Sequence, residues 1–275
     1  MTEANFSESQ LQQAVNTAYV RRVAEVQGFY PLPIVPSLIA EAELGWDAGF
    51  YFPWISYPPS VDDKGCNLFL QYKLSVELVS AGAKEWSSWN KAYYRFKIPH
   101  NEDDYHQWEQ LKKLADKGYP TYYATNATLL LAVLMAAYQA GTLPENIPLL
   151  DVRLVKDQHK HVTFTPTSKQ FLLHSEKEEI QKTTVAALLS SDHHGPIMSW
   201  REATDRVVDD LTGLEGEDER WGAELTRLRE QTAATPEPVR SVVKWTLAAS
   251  FVRRHLGAQM LWRPLRGDSA VGLPG

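Results

Sequence analysis

One cysteine, Cys66, stands in 275 residues. A single thiol excludes an internal disulfide and a cysteine-based zinc cluster, and it fits a reducing, cytoplasmic setting. Long apolar runs are missing too. The longest, residues 129–137, is about half of what a bilayer crossing takes. The first residues, MTEANFSESQ, are polar and acidic and lack a secretory signal pattern. A basic excess is also absent: 28 Lys and Arg face 34 Asp and Glu, for a formal net charge of -6. That balance counts against tight non-specific nucleic-acid binding by the whole surface and leaves a local patch as the only route. The chain has no Gly-x-Ser-x-Gly elbow, no P-loop and no dinucleotide fingerprint. No internal repeat or low-complexity segment occurs.

What is present is a large apolar fraction, 44%, enough for a sizeable core. The spacing predicts a helix over residues 7–27, capped by Ser7, with Leu11, Ala14, Val15, Ala18, Val23 and Val26 as its buried stripe. Arg21 and Arg22 near its end complement the helix dipole. A proline connector follows. Pro36 opens a second, short helix that Gly45 ends, with Glu41 and Glu43 near its C-terminus. Carboxylates there oppose the dipole, so a nearby cation would be welcome.

Residues 46–54 read as a strand with Asp47, Gly49 and Tyr51 on one face, and residues 56–65 as turn material. Residues 67–74 make the clearest strand in the chain. Leu68, Leu70, Tyr72 and Leu74 point one way; Phe69, Gln71 and Lys73 point the other. Opposed residues of an antiparallel hairpin are symmetric about its turn. Symmetry about Pro58–Pro59 places Asp47 across from Gln71 and Lys73. Asp62 and Asp63 fall inside the turn, where polar residues are expected anyway.

Further on, residues 94–98 and 121–125 read as strands. Residues 83–91 and 127–140 read as helices, as does the stretch after Asp103 or Asp104 up to Gly118. Residues 149–155 form a strand, and 161–165 with 170–174 form a hairpin. From residue 177 strand signals vanish and charge density rises; helices are expected over 199–214, 217–230 and 236–257. A soft boundary near 176 divides an α/β domain, 1–176, from an α-helical C-terminal lobe, 177–275, packed on it.

Hydrolysis of a phosphodiester near neutral pH needs an activated water and neutralised phosphate charge. Carboxylates holding Mg²⁺ supply both, and a lysine beside them orients the water. Glu43 (or Glu41), Asp47, Gln71 and Lys73 are the residue types that chemistry requires. The same spacing also fits a plain Asp47–Lys73 cross-strand pair without a metal. Arg95 and Lys97 are candidates for a nucleic-acid backbone contact, as are Lys112 and Lys113. His159 and His161 stand at strand spacing and read as surface histidines. His193 and His194 sit in a loop, and Cys66 reads as structural.

The order helix with Glu, GWD opening a strand, then FLQYK on the next strand resembles the PD-(D/E)XK superfamily of restriction-endonuclease-like nucleases, in its Q-x-K variant. The resemblance covers residues 36–126. It implies a central mixed β-sheet flanked by helices, with Asp47 as the motif aspartate, Gln71 and Lys73 as Q-x-K, and Glu43 or Glu41 as the helix glutamate. It implies Mg²⁺ (or Mn²⁺) held by Asp47, Glu43 and Gln71. It also implies a nucleic-acid substrate, DNA in preference to RNA, and a setting such as bacterial genome defence. Trp46, rather than proline, precedes Asp47. That departure, with the acidic charge, supports an alternative: an inactive binding or scaffold module on the same fold, using its helical lobe for a protein partner.

Overall fold

The computed structural model describes residues 1–27, 62–98, 107–191, 195–214, 219–233 and 239–265. The expected helix at 36–45, the strand at 46–54, His193 and His194 lie outside the described residues. Helix α1 (Glu8–Gln27) starts as its sequence predicts. Ser7 Oγ accepts the Gln10 N–H at 3.1 Å, while Gln10 Oε1 accepts the Ser7 N–H at 2.8 Å, a reciprocal cap. Leu11, Val15, Ala18 and Val23 are buried along it.

Strand β1 (Lys64–Lys73) is the axis of the molecule. After it come β2 (Val76–Leu78), the single turn α2 (Trp86–Trp89), β3 (Tyr93–Lys97), α3 (Gln107–Asp116) and β4 (Thr121–Thr125). Helices α4 (Leu131–Gln139) and α5 (Leu143–Asn146) lead to β5 (Pro148–Asp151) and a 3₁₀ turn. The hairpin of β6 (His161–Phe164) and β7 (Gln170–His174) follows, then β8 (Glu178–Gln181), β9 (Thr183–Thr184) and α6 (Val185–Ser190). The chain closes with β10 (Met198–Ser199), α7 (Trp200–Thr212), α8 (Glu219–Ala233), α9 (Val239–Leu256) and β11 (Gln259–Pro264).

These strands form a mixed six-stranded sheet, in the order β10-β1-β4-β5-β9 with β11 also on β1, and a five-stranded antiparallel sheet, β2-β3-β6-β7-β8. Only β1 and β4 run parallel, and α3 lies on the connection between them, as a parallel crossover requires. The mixed sheet is covered on both faces. Leu68, Leu70 and Tyr72 pack with α1, α4, α5 and α6. Phe69, on the opposite face, packs with α3, α7, α9 and the inner face of the second sheet. Burial on both faces suits the apolar stretch Leu68–Phe69–Leu70 within β1.

The α/β class with a mixed sheet flanked by helices is therefore observed. The C-terminal lobe expected to be α-helical over 177–275 holds strands as well as helices. Strands β8 to β11 lie there, and β11 pairs antiparallel with β1 from Gly65 to Leu70. Its sequence, QMLWRP, lacks the alternation that announces a strand; its burial comes from a neighbour nearly 200 residues away. Trp200 of α7, Trp245 of α9 and Trp262 of β11 stack in the core that also holds Phe69.

The β1–β11 pairing is close enough to demand a glycine. A Cβ at Gly65 would lie 2.4 Å from the Arg263 carbonyl oxygen and 2.5 Å from the Trp262 ring. Gly65→Ala is expected to cost about 1–3 kcal/mol by overpacking. A denaturant midpoint matching that of the parent protein would contradict this packing.

Candidate active site

Gln71 and Lys73 leave β1 on the same face, because strand side chains alternate with period two. Gln71 is 2% exposed, and its Oε1 has no hydrogen-bond partner among the described residues. A buried carbonyl oxygen without a partner is costly, so a group beyond the described residues that meets it would stabilise the site. Lys73 is half-buried at the strand's last position, and its Nζ donates to Gln107 Oε1 at 3.3 Å.

Gln107 is the first residue of α3, and its Nε2 donates to the Leu256 carbonyl at 2.8 Å. That carbonyl ends α9, where helix carbonyls lack intrahelical partners. Both ends of the Gln107 amide are thereby assigned, with the oxygen turned to the lysine. Gly257, at φ +58°, makes the approach possible: a Cβ there would lie 2.1 Å from Gln107 Nε2. Gly257→Ala is expected to displace Gln107 and to add left-handed strain, together about 1–3 kcal/mol. A melting temperature equal to the parent's would refute this crowding.

The strand ends themselves are fastened. Lys73 lies opposite Thr125 of β4, and the next residues bind each other. Asn126 Oδ1 accepts the Ser75 N–H at 2.7 Å, and the Ser75 hydroxyl donates to the Asn126 carbonyl at 2.9 Å. On the far face, α1 contributes a polar stripe one turn apart. Asn16 Oδ1 accepts the Tyr72 hydroxyl at 2.6 Å, and Gln12 Nε2 donates to Gln259 Oε1 at 2.7 Å. Glu8, one turn earlier, faces the end of β1. Burial raises its carboxyl pKa above the usual carboxylate range, against the lowering influence of the Lys73 ammonium and a hydrogen bond from the Leu74 backbone.

The structure thus brings Gln71 and Lys73 together. Asp47, Glu43 and Glu41 lie outside the described residues. The edge of β1 that a hairpin from 46–54 would fill is taken from Gly65 to Leu70 by β11, with β4 on the other side from Phe69 onward. The β11 pairing ends at Leu70, so the side of Gln71–Lys73 away from β4 is not taken by it. Asp62 and Asp63 are set aside on firmer ground than their turn position. They precede the opposite end of β1, and Asp63 is roughly 33 Å of strand from Lys73 at about 3.3 Å per residue.

Glu8, Gln107 and Gln259 escaped the sequence reading. The helical spacing of Glu8, Gln12 and Asn16 is the signal that could have found the first, but α1 carries many other polar residues that mask it. Nothing local marks Gln107, which meets Lys73 only through the crossover.

Arg95 and Lys97 stand elsewhere, on β3 of the second sheet. Arg95 Nη1 lies 3.7 Å from the Oε2 of buried Glu85, which also accepts the Tyr93 hydroxyl at 2.9 Å. Its charge is thus engaged by a buried carboxylate, whereas Lys97 is exposed. Lys112 pairs with Asp116 at 3.1 Å on α3. His159 is fully buried rather than on the surface, with Nδ1 accepting the Lys156 N–H at 3.1 Å. Cys66 is buried, and that burial raises its thiol pKa, in keeping with an inert structural side chain.

Among the described residues, no three His, Cys, Asp or Glu side chains converge as a metal-holding group. Of the expected ligands, Gln71 lies among the described residues; its Oε1 has no hydrogen-bond partner among them, and Mg²⁺ and Mn²⁺ take oxygen ligands. Comparison with protein-family models, curated proteins and solved structures finds no match for the chain.

Proposed function

We propose that the chain is a metal-dependent nuclease that hydrolyses nucleic-acid phosphodiester bonds at the C-terminal end of β1. The observation that carries this reading is the Gln71 carbonyl oxygen, without a partner among the described residues and buried one strand repeat from a lysine whose amine is held by Gln107. Gln71, with Asp47 and Glu43, would hold Mg²⁺ or Mn²⁺. Bound there, the ion supplies Lewis acidity and lowers the pKa of a coordinated water. Lys73 places a positive charge and N–H donors where the phosphate gains charge during the reaction. Gln107 Oε1 accepts from that amine and so positions it. DNA is favoured over RNA as substrate on the resemblance of the motif.

The test is cleavage of DNA and RNA with Mg²⁺ or Mn²⁺ by the parent protein and by Asp47→Ala. Loss of cleavage in the variant, with the fold intact, is expected; undiminished cleavage would remove Asp47 from the site. A second reading, a non-catalytic binding module, draws on the net charge of -6. Titration calorimetry with Mg²⁺ separates the two, since the nuclease reading requires heat of binding that Asp47→Ala abolishes.

A further inference from the structure

The outer face of the five-stranded sheet carries a row of basic side chains across three strands. Lys97 of β3 lies opposite His161 of β6, and His161 lies opposite His174 of β7. Directly opposed residues of neighbouring strands share a face. The row one residue away, Phe96, Val162 and Leu173, is buried in the common core, so the Lys97–His161–His174 row faces outward. Lys97 is exposed and both histidines are partly exposed.

Other charges converge on this row. Arg95 shares its strand face, exposed Lys84 comes from the turn before α2, and exposed Lys177 comes from the β7–β8 turn. The carboxylate that acts on both histidines is Glu85, already bound by the Tyr93 hydroxyl and close to Arg95. Thr163, between the histidines and the α2 turn, accepts the Trp89 indole N–H at 3.0 Å and lies 2.9 Å from His174 Nε2. Both imidazoles have pKa values below their ordinary range. Burial is the larger cause, and Arg95 and Lys84 push both further down, with Glu85 opposing. In an acidic chain this face gathers Lys84, Lys97 and Lys177, Arg95 paired with Glu85, and two histidines with lowered pKa values, with Glu179 the exposed carboxylate in register with Arg95 across the sheet.

We infer that this face, centred on the Lys97–His161–His174 row, binds the phosphate backbone of a nucleic acid and takes up protons as it does so. The choice of nucleic acid as the anion rests on the nuclease reading; the charge pattern itself asks only for a polyanion. A phosphate over the row replaces cation–imidazole repulsion with attraction and raises both histidine pKa values. The complex therefore holds more protons than the free protein, and affinity rises as pH falls through the imidazole range.

The experiment is fluorescence anisotropy of the full chain with a labelled 20-nucleotide duplex DNA in EDTA, which prevents cleavage. It is run from pH 5.5 to 8 and across a salt series. Affinity is expected to be on the order of tenfold higher at pH 5.5 than at pH 8. His161→Gln with His174→Gln should flatten that dependence, and His161→Gln alone should roughly halve its slope. Lys84→Gln with Lys97→Gln should lower the salt slope by about 2, near 0.9 per lost phosphate contact. No binding, a pH profile that survives the double histidine change, or displacement by millimolar inorganic phosphate would each overturn the inference. Displacement by phosphate would mark a simple anion site. Cleavage by the parent with Mg²⁺ is scored separately. Cleavage with flat binding sinks this inference and leaves the active site standing; proton-linked binding without cleavage does the reverse.

Discussion

Lys73→Met is expected to lower the rate of phosphodiester cleavage by about 10²–10³-fold, the usual effect of losing one donor aimed at developing charge. Methionine keeps the length and apolar stem of the half-buried side chain, so melting temperature and circular dichroism should stay close to the parent's. Lys73→Arg should fail as well, because a planar guanidinium does not reproduce a compact ammonium that Gln107 receives on one oxygen. Gln107→Glu offers a finer reading. A carboxylate against Lys73 holds the ammonium charged and moves the alkaline limb of the pH–rate profile upward, an effect no simple packing role produces. Cleavage by Lys73→Met at the parent rate, with the fold intact, would take the lysine out of the chemistry.

The parts of this site that the sequence reveals are those governed by local periodicity. Alternation over 67–74 places Gln71 and Lys73 on one face and Leu68, Leu70 and Tyr72 on the other, and the structure keeps that division. Ser7 as a cap, the helix through Trp108, Leu111 and Leu114, and the β6–β7 hairpin follow from equally local rules. What stays hidden is set by pairing at long range. Met260 lies opposite Phe69, and no turn chemistry connects them. The second sheet is hidden for a related reason: β2 and β8 are short, half-exposed edge strands whose partners alone make them strands. Gln107 belongs to this class too, since its carboxamide gains meaning only where α3, β1 and the end of α9 meet.

Trp200→Ala is expected to destabilise the whole chain by about 3–5 kcal/mol, the range for emptying a buried aromatic site. The indole is fully buried, with ring centroids 5.4 Å from Trp245 and 4.9 Å from Trp262. Those partners come from α9 and from the strand paired to β1. Loss of the stack therefore loosens the support behind Asn67, Phe69 and Gln71, rather than a separate helical appendage. Asn67 shows the coupling directly: its Oδ1 accepts the Trp245 indole N–H at 2.9 Å, and its Nδ2 donates to the Ala203 carbonyl at 2.9 Å. Trp200→Phe should cost much less, because Trp200 Nε1 has no hydrogen-bond partner among the described residues and only ring volume is lost. Denaturant unfolding followed by tryptophan fluorescence and by circular dichroism should give one coincident transition for the parent and both variants. By the same reasoning a chain ending at residue 176 should not fold, since it leaves β1 without β11 along Gly65–Leu70. Two separated transitions, or a stable 1–176 fragment, would show instead that the C-terminal segment is an independent unit resting on a self-sufficient α/β core.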